Sequence, residues 1–245
     1  MPDPKYSVVI PAYNEEECIE RCVREVCEVM DTLNQPYEVI VTDDGSKDRT
    51  LAILVSLKKE FPQLVVLHLK KNSGETAATD AGFRRARGEI ILTFDADLQN
   101  DPHDAPRLLQ MMDQWDVVCG VRAKREDSFI RRASSRIANG IRNWITHENI
   151  SDTGCSTKVF RAKFVRNVKL YTGMHRFLPT LMRLEGARVT ETPVNHRQRG
   201  GGQSKYGVWN RLFKSLRDLF AVRWMQSRWL RYEVEEVNDK PKAEG

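Results

Sequence analysis

The sequence predicts an α/β fold in which a mostly parallel sheet is covered by helices on both faces. Two observations support this fold class. Short apolar segments rich in β-branched residues alternate with longer segments of helical character, and polar clusters follow the apolar segments directly. Such alternation requires right-handed crossover connections, which set consecutive strands parallel. A chain of 245 residues, 40% of them hydrophobic, can bury the core that this fold needs.

The individual elements follow from these patterns in chain order. Strands are predicted from short apolar runs, of which Ile90-Ile91-Leu92 is typical, and helices from the stretches between them. The predicted strands are Tyr6–Pro11, Tyr37–Thr42, Leu64–Leu69, Glu89–Phe94, Asp116–Val121 and Arg188–Asn195. The predicted helices are Glu15–Leu33, Asp48–Phe61, Glu75–Arg87 and Val208–Arg231.

The last helix has the clearest periodicity. Apolar residues recur in it at i, i+3, i+4 and i+7, namely Trp209, Leu212, Phe213, Leu216, Leu219 and Phe220. Basic residues lie beside and opposite them, namely Arg211, Lys214, Arg217, Arg223, Arg228 and Arg231. Together with Trp224 and Trp229 this composition is typical of helices at a membrane surface, although the apolar pattern alone is more often that of a helix covering a core.

The chain divides into three predicted regions, and its two halves differ in net charge. An α/β domain spans residues 1–206, a basic amphipathic helix for a membrane surface spans 207–232, and a disordered tail spans 233–245. Residues 1–121 carry 13 basic and 22 acidic side chains, net −9, and residues 122–245 carry 26 and 12, net +14. The first half therefore offers carboxylates for a cation, and the second half offers cations for an anion.

Cysteine usage and hydropathy indicate the compartment. Five cysteines are an odd number, and no His or fourth Cys completes a zinc site around Cys18, Cys22 and Cys27. The first residues contain no apolar segment of a secretion signal, and no stretch of about eighteen residues lacks charge. We expect a reducing, cytoplasmic location, with the chain bound peripherally to the cytoplasmic face of a membrane.

Carboxylates follow the fourth predicted strand at Asp95 and Asp97, and Gln99 comes two residues later. Oxygen ligands at the carboxyl end of a strand suit Mg²⁺ or Mn²⁺, with substrate phosphates completing the coordination. The alternative is a pair of solvated aspartates in a turn. Because the other polar clusters fall on the same edge of the sheet, the metal site is favoured.

A second acidic pair, Asp43 and Asp44, ends the second predicted strand. It is compatible with a turn and helix cap, with hydrogen bonds to a nucleobase or ribose, or with both. The chain lacks the glycine pattern of dinucleotide-binding folds after its first strand and lacks a P-loop anywhere, which disfavours dehydrogenases and P-loop nucleotidases.

Five motifs in order carry a resemblance to a known family. They are Pro11-Ala12-Tyr13-Asn14-Glu15, Asp43-Asp44-Gly45-Ser46, Asn72-Ser73-Gly74, Asp95-Ala96-Asp97-Leu98-Gln99 and Gly202-Gln203-Ser204-Lys205-Tyr206. In this order the chain resembles the family 2 glycosyltransferases of GT-A (Rossmann-like) fold over about residues 5–207. Within that family it is most similar to the transferases that load polyprenyl phosphates with a sugar, such as dolichyl- and undecaprenyl-phosphate sugar transferases.

The resemblance implies roles for individual residues. Those implied to hold the nucleotide are Pro11, Tyr13, Glu15, Asp43, Asp44 and, near the ribose, Asp95; the implied metal ligands are Asp97 and Gln99. The implied phosphate-binding cations are Arg122, Arg136, Arg199 and Lys205, and Asp152 is implied to line the pocket. Glu75 departs from the family, in which Lys or Gln often follows the glycine, and it receives no role.

The implied reaction moves a sugar from a nucleotide-diphosphate sugar to a polyprenyl phosphate with inversion. An acceptor phosphate needs little help from a base, so cations and a divalent ion, Mg²⁺ or Mn²⁺, hold the two anions in line. One alternative is a family 2 transferase acting on a sugar hydroxyl, for which Asp152 is the candidate base. Another is a non-catalytic basic membrane-binding module, which would leave the acidic clusters unexplained.

Two further competitors are disfavoured by missing motifs. No nucleic-acid-binding signature accompanies the basic residues, and the acidic first half would repel a phosphate backbone, so we expect no nucleic-acid partner. A processive polysaccharide synthase would want Gln-x-x-Arg-Trp, and Arg223-Trp224 follows Phe220-Ala221-Val222 instead.

The three consecutive glycines Gly200–Gly202 lie between Arg199 and Lys205. Their backbone freedom predicts a lid that carries both cations onto the phosphates. The alternative is a linker with incidental charges.

Overall fold

The computed structural model describes residues 3–122, 140, 143–146, 150–198, 208–230, 232 and 234. In this part of the chain seven strands form one sheet in the order β3-β2-β1-β4-β6-β5-β7. The strands are β1 (Tyr6–Ala12), β2 (Tyr37–Asp43), β3 (Leu64–His68), β4 (Ile90–Thr93), β5 (Val117–Arg122), β6 (Lys158–Arg161) and β7 (Val189–Val194). The pairings of β6 with β4 and β5 are antiparallel and all other pairings are parallel, as the predicted fold class requires.

Helices connect the strands and cover the sheet. The helices are α1 (Ile19–Asp31), α2 (Thr50–Glu60), α3 (Glu75–Arg85), α4 (Ala105–Gln110), α5 (Ala162–Asn167), α6 (Leu178–Leu184) and α7 (Val208–Arg228). Short 3-10 segments lie at Pro102–Asp104, Met111–Asp113 and Met174–Phe177. None of the described helices is both long enough and apolar enough to cross a bilayer.

The alternation of β1 side chains explains why both faces of the sheet are covered. Val8 and Ile10 belong to the apolar cluster that contains α1 and α2, whereas Val9 belongs to the cluster that contains Phe83 of α3. All three β1 residues are completely buried. A central parallel strand thus contributes to two cores, and its sequence is apolar throughout.

The start of the first helix and the strand β6 differ from the prediction. The first helix begins at Ile19 rather than Glu15, because the backbone of Glu15 accepts hydrogen bonds from the amides of Cys18 and Ile19 in the preceding turn. The strand β6 was not predicted, since it has only four residues and Lys158 and Arg161 stand at its ends. The five cysteines are buried free thiols, as predicted.

The helix α7 packs on the domain through one of its faces. Leu219 and Val222 are buried against Met174, Phe177 and Leu181. On the same helix Phe220 and Trp224 are 63% and 64% exposed. One face of this helix therefore covers the core, and another leaves two aromatic side chains exposed.

Candidate active site

The parallel strands bring the predicted polar clusters to one edge of the sheet, which we call the rim. Pro11, Tyr13 and Glu15, at and just beyond the end of β1, are partly buried. Their loop is tied to the residues after β2: Asn14 accepts a hydrogen bond from the Lys47 amide at 2.8 Å, and the Glu15 amide donates to Thr50 at 2.8 Å. Two of the five motifs are therefore neighbours in space.

Asp44 organises the third motif. Its Oδ1 accepts a hydrogen bond from the Ser73 amide at 2.7 Å, and its Oδ2 accepts from the Gly74 amide at 2.8 Å and from Asn72 Nδ2 at 3.0 Å. A Cβ on Gly45 would lie 2.6 Å from the Lys71 backbone, so glycine is required for the close approach of the two loops. Asp44 thus fixes the loop before α3, using both carboxylate oxygens.

Asp43 is completely buried beside Asp44. Its Oδ2 lies 2.7 Å from Nδ1 of His68 at the end of β3, and its Oδ1 accepts a hydrogen bond from the Ser46 amide at 3.3 Å. Both aspartates therefore join strands and loops within the chain. Unlike these two aspartates, Pro11, Tyr13 and Glu15 of the first motif are partly exposed.

The residues after β4 form what we call the acidic corner, which consists of Asp95, Asp97 and Gln99. Ser156 donates a hydrogen bond to Asp95 Oδ2 at 2.6 Å, and the Gln99 amide donates to Asp97 Oδ1 at 3.1 Å. Desolvation of the Asp95 carboxyl, followed by the charges of Glu75 and Asp97, raises its pKa to about 7. The corner therefore concentrates negative charge.

His196 adds a nitrogen donor to this corner. Its Nε2 lies 3.4 Å from Gln99 Nε2, and the backbone of Asn100 pairs with that of His196. His196 was not among the predicted site residues. It directly follows the predicted strand Arg188–Asn195, and this position is the signal that could have placed it on the rim. The carboxylate of Asp97, the amide oxygen of Gln99 and this imidazole make a donor set that fits Mn²⁺ or Mg²⁺.

A different trio comes closest together among the described residues. Ligand atoms of Glu25, Asp101 and His103 lie within 4.8 Å of one another. The guanidinium of Arg197 already forms ion pairs with Glu25 at 2.5 Å and with Asp101 at 2.6 Å. Both carboxylates are therefore paired with one guanidinium of the chain itself, which offsets one of their two negative charges.

Arg122 ends β5 on the same rim. Its guanidinium meets the Asp152 carboxylate through Nε at 2.7 Å and Nη2 at 2.8 Å, and the two side chains are 18% and 7% exposed. The amides of Ser151 and Asp152 donate in turn to Glu191 of β7, at 2.9 and 3.3 Å. The structure thus brings Arg122 and Asp152 together, while Arg136, Arg199 and Lys205 lie outside the described residues.

The sheet register relates Arg122 to the acidic corner. Thr93 of β4 and Cys119 of β5 both pair with Lys158 of β6, so β4 and β5 run in the same direction with β6 between them. Neighbouring strands are about 4.8 Å apart, so the strand ends that lead to Asp97 and Arg122 are separated by roughly 10 Å. The acidic corner and the guanidinium of Arg122 therefore lie on the same rim.

Sequence comparison adds relatives to this geometry. The chain is 36% identical over 204 residues to an undecaprenyl-phosphate 4-deoxy-4-formamido-L-arabinose transferase of Edwardsiella ictaluri, covering 82% of this chain and 63% of that protein. It is 37% identical over 237 residues to a dodecaprenyl-phosphate galacturonate synthase of Rhizobium johnstonii, covering 93% of this chain and 68% of that protein. The chain thus spans about two thirds of the length of these relatives.

Solved structures share the fold. A mannosyltransferase of Pyrobaculum calidifontis, in complex with GDP-mannose and Mn²⁺, superposes with a TM-score of 0.65 at 20% identity, over 89% of this chain and 63% of that one. Glucosyl-3-phosphoglycerate synthase of Mycobacterium tuberculosis, in complex with Mn²⁺, UDP and phosphoglyceric acid, gives 0.69 at 18% identity, over 91% and 78%. At these identities the similarity establishes the GT-A fold.

The family follows from the match of the chain itself. The family model described as Glycosyl transferase family 2 matches residues 7–169. This range includes four of the five motifs as well as Arg122 and Asp152. With relatives above 30% identity, the match shows that the chain belongs to glycosyl transferase family 2.

Proposed function

We propose that the chain transfers a sugar from a nucleotide-diphosphate sugar to a polyprenyl phosphate at a membrane surface. The observation that carries this proposal is the shared rim, on which the acidic corner and Arg122 follow parallel strands roughly 10 Å apart. One position suits a metal-bound diphosphate and the other suits an acceptor phosphate. The names of the two relatives, which both contain a polyprenyl phosphate, support the same acceptor.

In the donor half of the site, Asp97 and Gln99 would hold a divalent ion, and His196 is suited to join them. Such an ion, when bound, offsets the charge of the diphosphate leaving group. Pro11, Tyr13 and Glu15 would contact the base and ribose, since they are the partly exposed residues at and after the end of β1. The buried Asp43 and Asp44 would support these contacts by fixing the loops rather than by touching the ligand.

In the acceptor half, Arg122 would bind the acceptor phosphate, and Asp152 would orient the guanidinium for it. Arg136, Arg199 and Lys205 are proposed to add positive charge there. This arrangement favours a phosphate acceptor over a sugar hydroxyl. A hydroxyl needs a base, and both oxygens of Asp152 accept hydrogen bonds from Arg122.

The chemical step would be a single displacement. An oxygen of the acceptor phosphate bonds to the anomeric carbon as the bond from that carbon to the diphosphate oxygen breaks, and the nucleoside diphosphate leaves with the electron pair. Attack opposite the leaving group inverts the anomeric centre. The contribution of the chain is to hold two anions in line and to screen their repulsion, which in water keeps them apart.

The exposed face of α7 would bring the chain to the lipid. Phe220 and Trp224 are exposed on it, Arg217 is 77% exposed, and Arg228 is also exposed. The α7 side chain of Gln226 donates a hydrogen bond to Thr146 at 2.9 Å, next to the exposed Trp144. Exposed aromatic rings flanked by cations are the composition of interfacial helices, so we propose peripheral contact with an anionic bilayer.

The decisive experiment identifies the nucleotide of the donor first and the class of acceptor second. Nucleoside diphosphates are screened by thermal shift with and without Mn²⁺, since a ligand of the native state raises the midpoint. The matching nucleotide sugar is then offered with undecaprenyl phosphate, undecaprenol or a soluble glycan. Transfer to the phosphate alone supports the proposal, whereas transfer to undecaprenol or the glycan would establish a hydroxyl acceptor.

A further inference from the structure

A polar cluster at the start of α3 has no part in the roles assigned above. We call it the α3 cluster; it comprises Glu75, the first residue of α3, Thr76, and His175 from the 3-10 segment Met174–Phe177. The Nδ1 of His175 lies 2.6 Å from Thr76 Oγ1, and its Nε2 lies 3.4 Å from Glu75 Oε1. One imidazole therefore bridges the first two residues of the helix.

The hydrogen bonds determine which nitrogen of His175 carries the hydrogen. The Glu75 carboxylate can only accept a hydrogen bond, so the Nε2 that faces it carries a hydrogen. In the neutral ring Nδ1 then accepts from the Thr76 hydroxyl, whose oxygen also accepts from the Gly173 amide at 3.0 Å. An accepting Nδ1 belongs to the neutral imidazole with its hydrogen on Nε2, which faces Glu75. Burial lowers the pKa of His175 to about 4, in agreement with a neutral ring. His175 thus orients Glu75 and leaves its negative charge uncompensated.

Glu75 stands on the rim beside the acidic corner. The loop that precedes it is bound to Asp44, and its charge reaches Asp95. The Glu75 side chain remains 53% exposed, whereas the side chain of His175 is only 15% exposed. The carboxylate is therefore contacted by a buried imidazole and remains accessible to a ligand at the rim.

A negative charge at this place does not suit a diphosphate, but it suits a sugar. A carboxylate accepts hydrogen bonds from two neighbouring hydroxyl groups, or from an ammonium group, and it repels another carboxylate. We infer, on the basis of the proposed function, that Glu75 contacts the donor sugar and selects neutral or amino sugars against sugars that carry a carboxylate. His175 is the positioning residue for this contact.

The test compares donors that differ by one group. Dissociation constants with Mn²⁺ are measured by calorimetry for UDP-glucose against UDP-glucuronate, GDP-mannose against GDP-mannuronate, and UDP and GDP alone. The wild-type chain is expected to prefer the neutral donor at least tenfold. The substitution Glu75→Gln, which keeps shape and removes charge, is expected to reduce this preference at least fivefold and to change the affinity for UDP or GDP less than twofold.

Two further comparisons isolate the positioning role. His175→Gln retains an N–H for Glu75 and should keep most of the preference, whereas His175→Asn retains the acceptor for Thr76 and should lose part of it. Asp80→Asn is the matched control, because Asp80 lies on the same helix and pairs with Arg84 at 2.7 Å. It should leave the preference unchanged.

The inference is overturned if nucleotides bind and Glu75→Gln leaves the preference unmoved. It is also overturned if Asp80→Asn moves the preference equally, or if affinity for the bare diphosphate changes as much as that for the sugars. If no nucleotide binds to any variant, the proposed function fails and this inference fails with it.

Discussion

The guanidinium of Arg122 and the carboxylate of Asp152 form a two-pronged ion pair in which both oxygens of Asp152 accept a hydrogen bond. A carboxylate held in this way is a poor proton acceptor, because taking up a proton would break its contacts with a neighbouring cation. The relationship separates the two acceptor chemistries that the sequence had left open, and it leads to a first prediction.

Asp152→Asn should weaken the acceptor site without removing a base. Loss of the buried pair is expected to lower the free energy of unfolding by roughly 3 kcal/mol and turnover about 10- to 100-fold. The shape of the pH–rate profile should stay the same, and it should change if Asp152 is a base. Glu191→Gln, which retains oxygen acceptors for the amides of Ser151 and Asp152, is the matched control and should have a smaller effect.

Asp97→Asn should uncouple nucleotide binding from metal. In the wild-type chain Mn²⁺ should enhance the thermal shift given by the nucleoside diphosphate, and in the variant that enhancement should vanish while turnover falls on the order of 100-fold or more. Asp101→Asn is the control, because Asp101 belongs to the other trio and its carboxylate is already paired with Arg197. A loss of the Mn²⁺ effect in Asp101→Asn alone would move the metal to that trio.

Asp44→Asn should loosen the loop before α3. An amide in place of the carboxylate supplies one acceptor where two oxygens now accept three hydrogen bonds, so we expect a loss of about 2–4 kcal/mol in the free energy of unfolding. Asn72→Ala removes a single one of these bonds and should lose about 1 kcal/mol. Equal losses in chemical denaturation of the two variants would contradict the organising role of Asp44.

His175 should make stability depend on pH. Burial, with Arg176 and Lys158, lowers its pKa to about 4, while Glu75 acts in the opposite direction. Between pH 6.5 and 4 the unfolded chain therefore binds a proton that the folded chain excludes, and stability falls as the pH falls. The effect totals about 3 kcal/mol.

The measurement is the free energy of unfolding of the wild-type chain minus that of His175→Asn, determined from pH 7 to pH 4. This difference cancels the opposite contribution of Asp95, whose raised pKa favours the folded state at low pH in both proteins. The difference should decline steadily. A constant difference across this range would show that His175 is not held neutral.

The two faces of α7 should respond differently to substitution. Leu219→Ala should lower the free energy of unfolding by about 2–4 kcal/mol, because Leu219 is buried against residues 174–181. Trp224→Ala should leave stability within about 0.5 kcal/mol and weaken co-sedimentation with anionic vesicles several-fold, more so at high salt. Unchanged vesicle binding of Trp224→Ala would argue against the proposed membrane contact.

Much of the fold could be predicted because local pattern and tertiary context agree. The apolar runs at Tyr6–Ala12 and Tyr37–Asp43 are buried on both faces, and their polar sequels meet at the rim as strand direction requires. Lys158–Arg161 could not be predicted, because its burial depends on neighbours far away in the chain: it lies between β4 and β5, and Arg161 pairs with Asp116.

The sequence patterns select candidate residues for the site but do not reveal which partners those residues have. Asp43 and Asp44 are recognisable as a motif, yet their partners His68, Asn72 and Ser73 lie 25–29 positions later and no local pattern names them. The α3 cluster could not be predicted for the same reason, since 99 positions separate Thr76 from His175. A sequence pattern identifies residues with reactive or ligand-binding side chains. Only the folded chain shows which of these side chains already have hydrogen-bond partners within the protein.

Gly173 separates two parts of the molecule by lacking a side chain. Its φ of 87° lies in the left-handed region, and a Cβ there would collide with the Asp218 carboxylate of α7. Its amide meanwhile holds Thr76 in the first turn of α3. A single residue thus lies between α7, the helix proposed to contact the bilayer, and α3, the helix that begins at Glu75. A larger residue at position 173 would have to displace the Asp218 side chain from this contact and would be strained by the left-handed φ, so glycine is the residue that lets α7 lie this close to the loop before Met174.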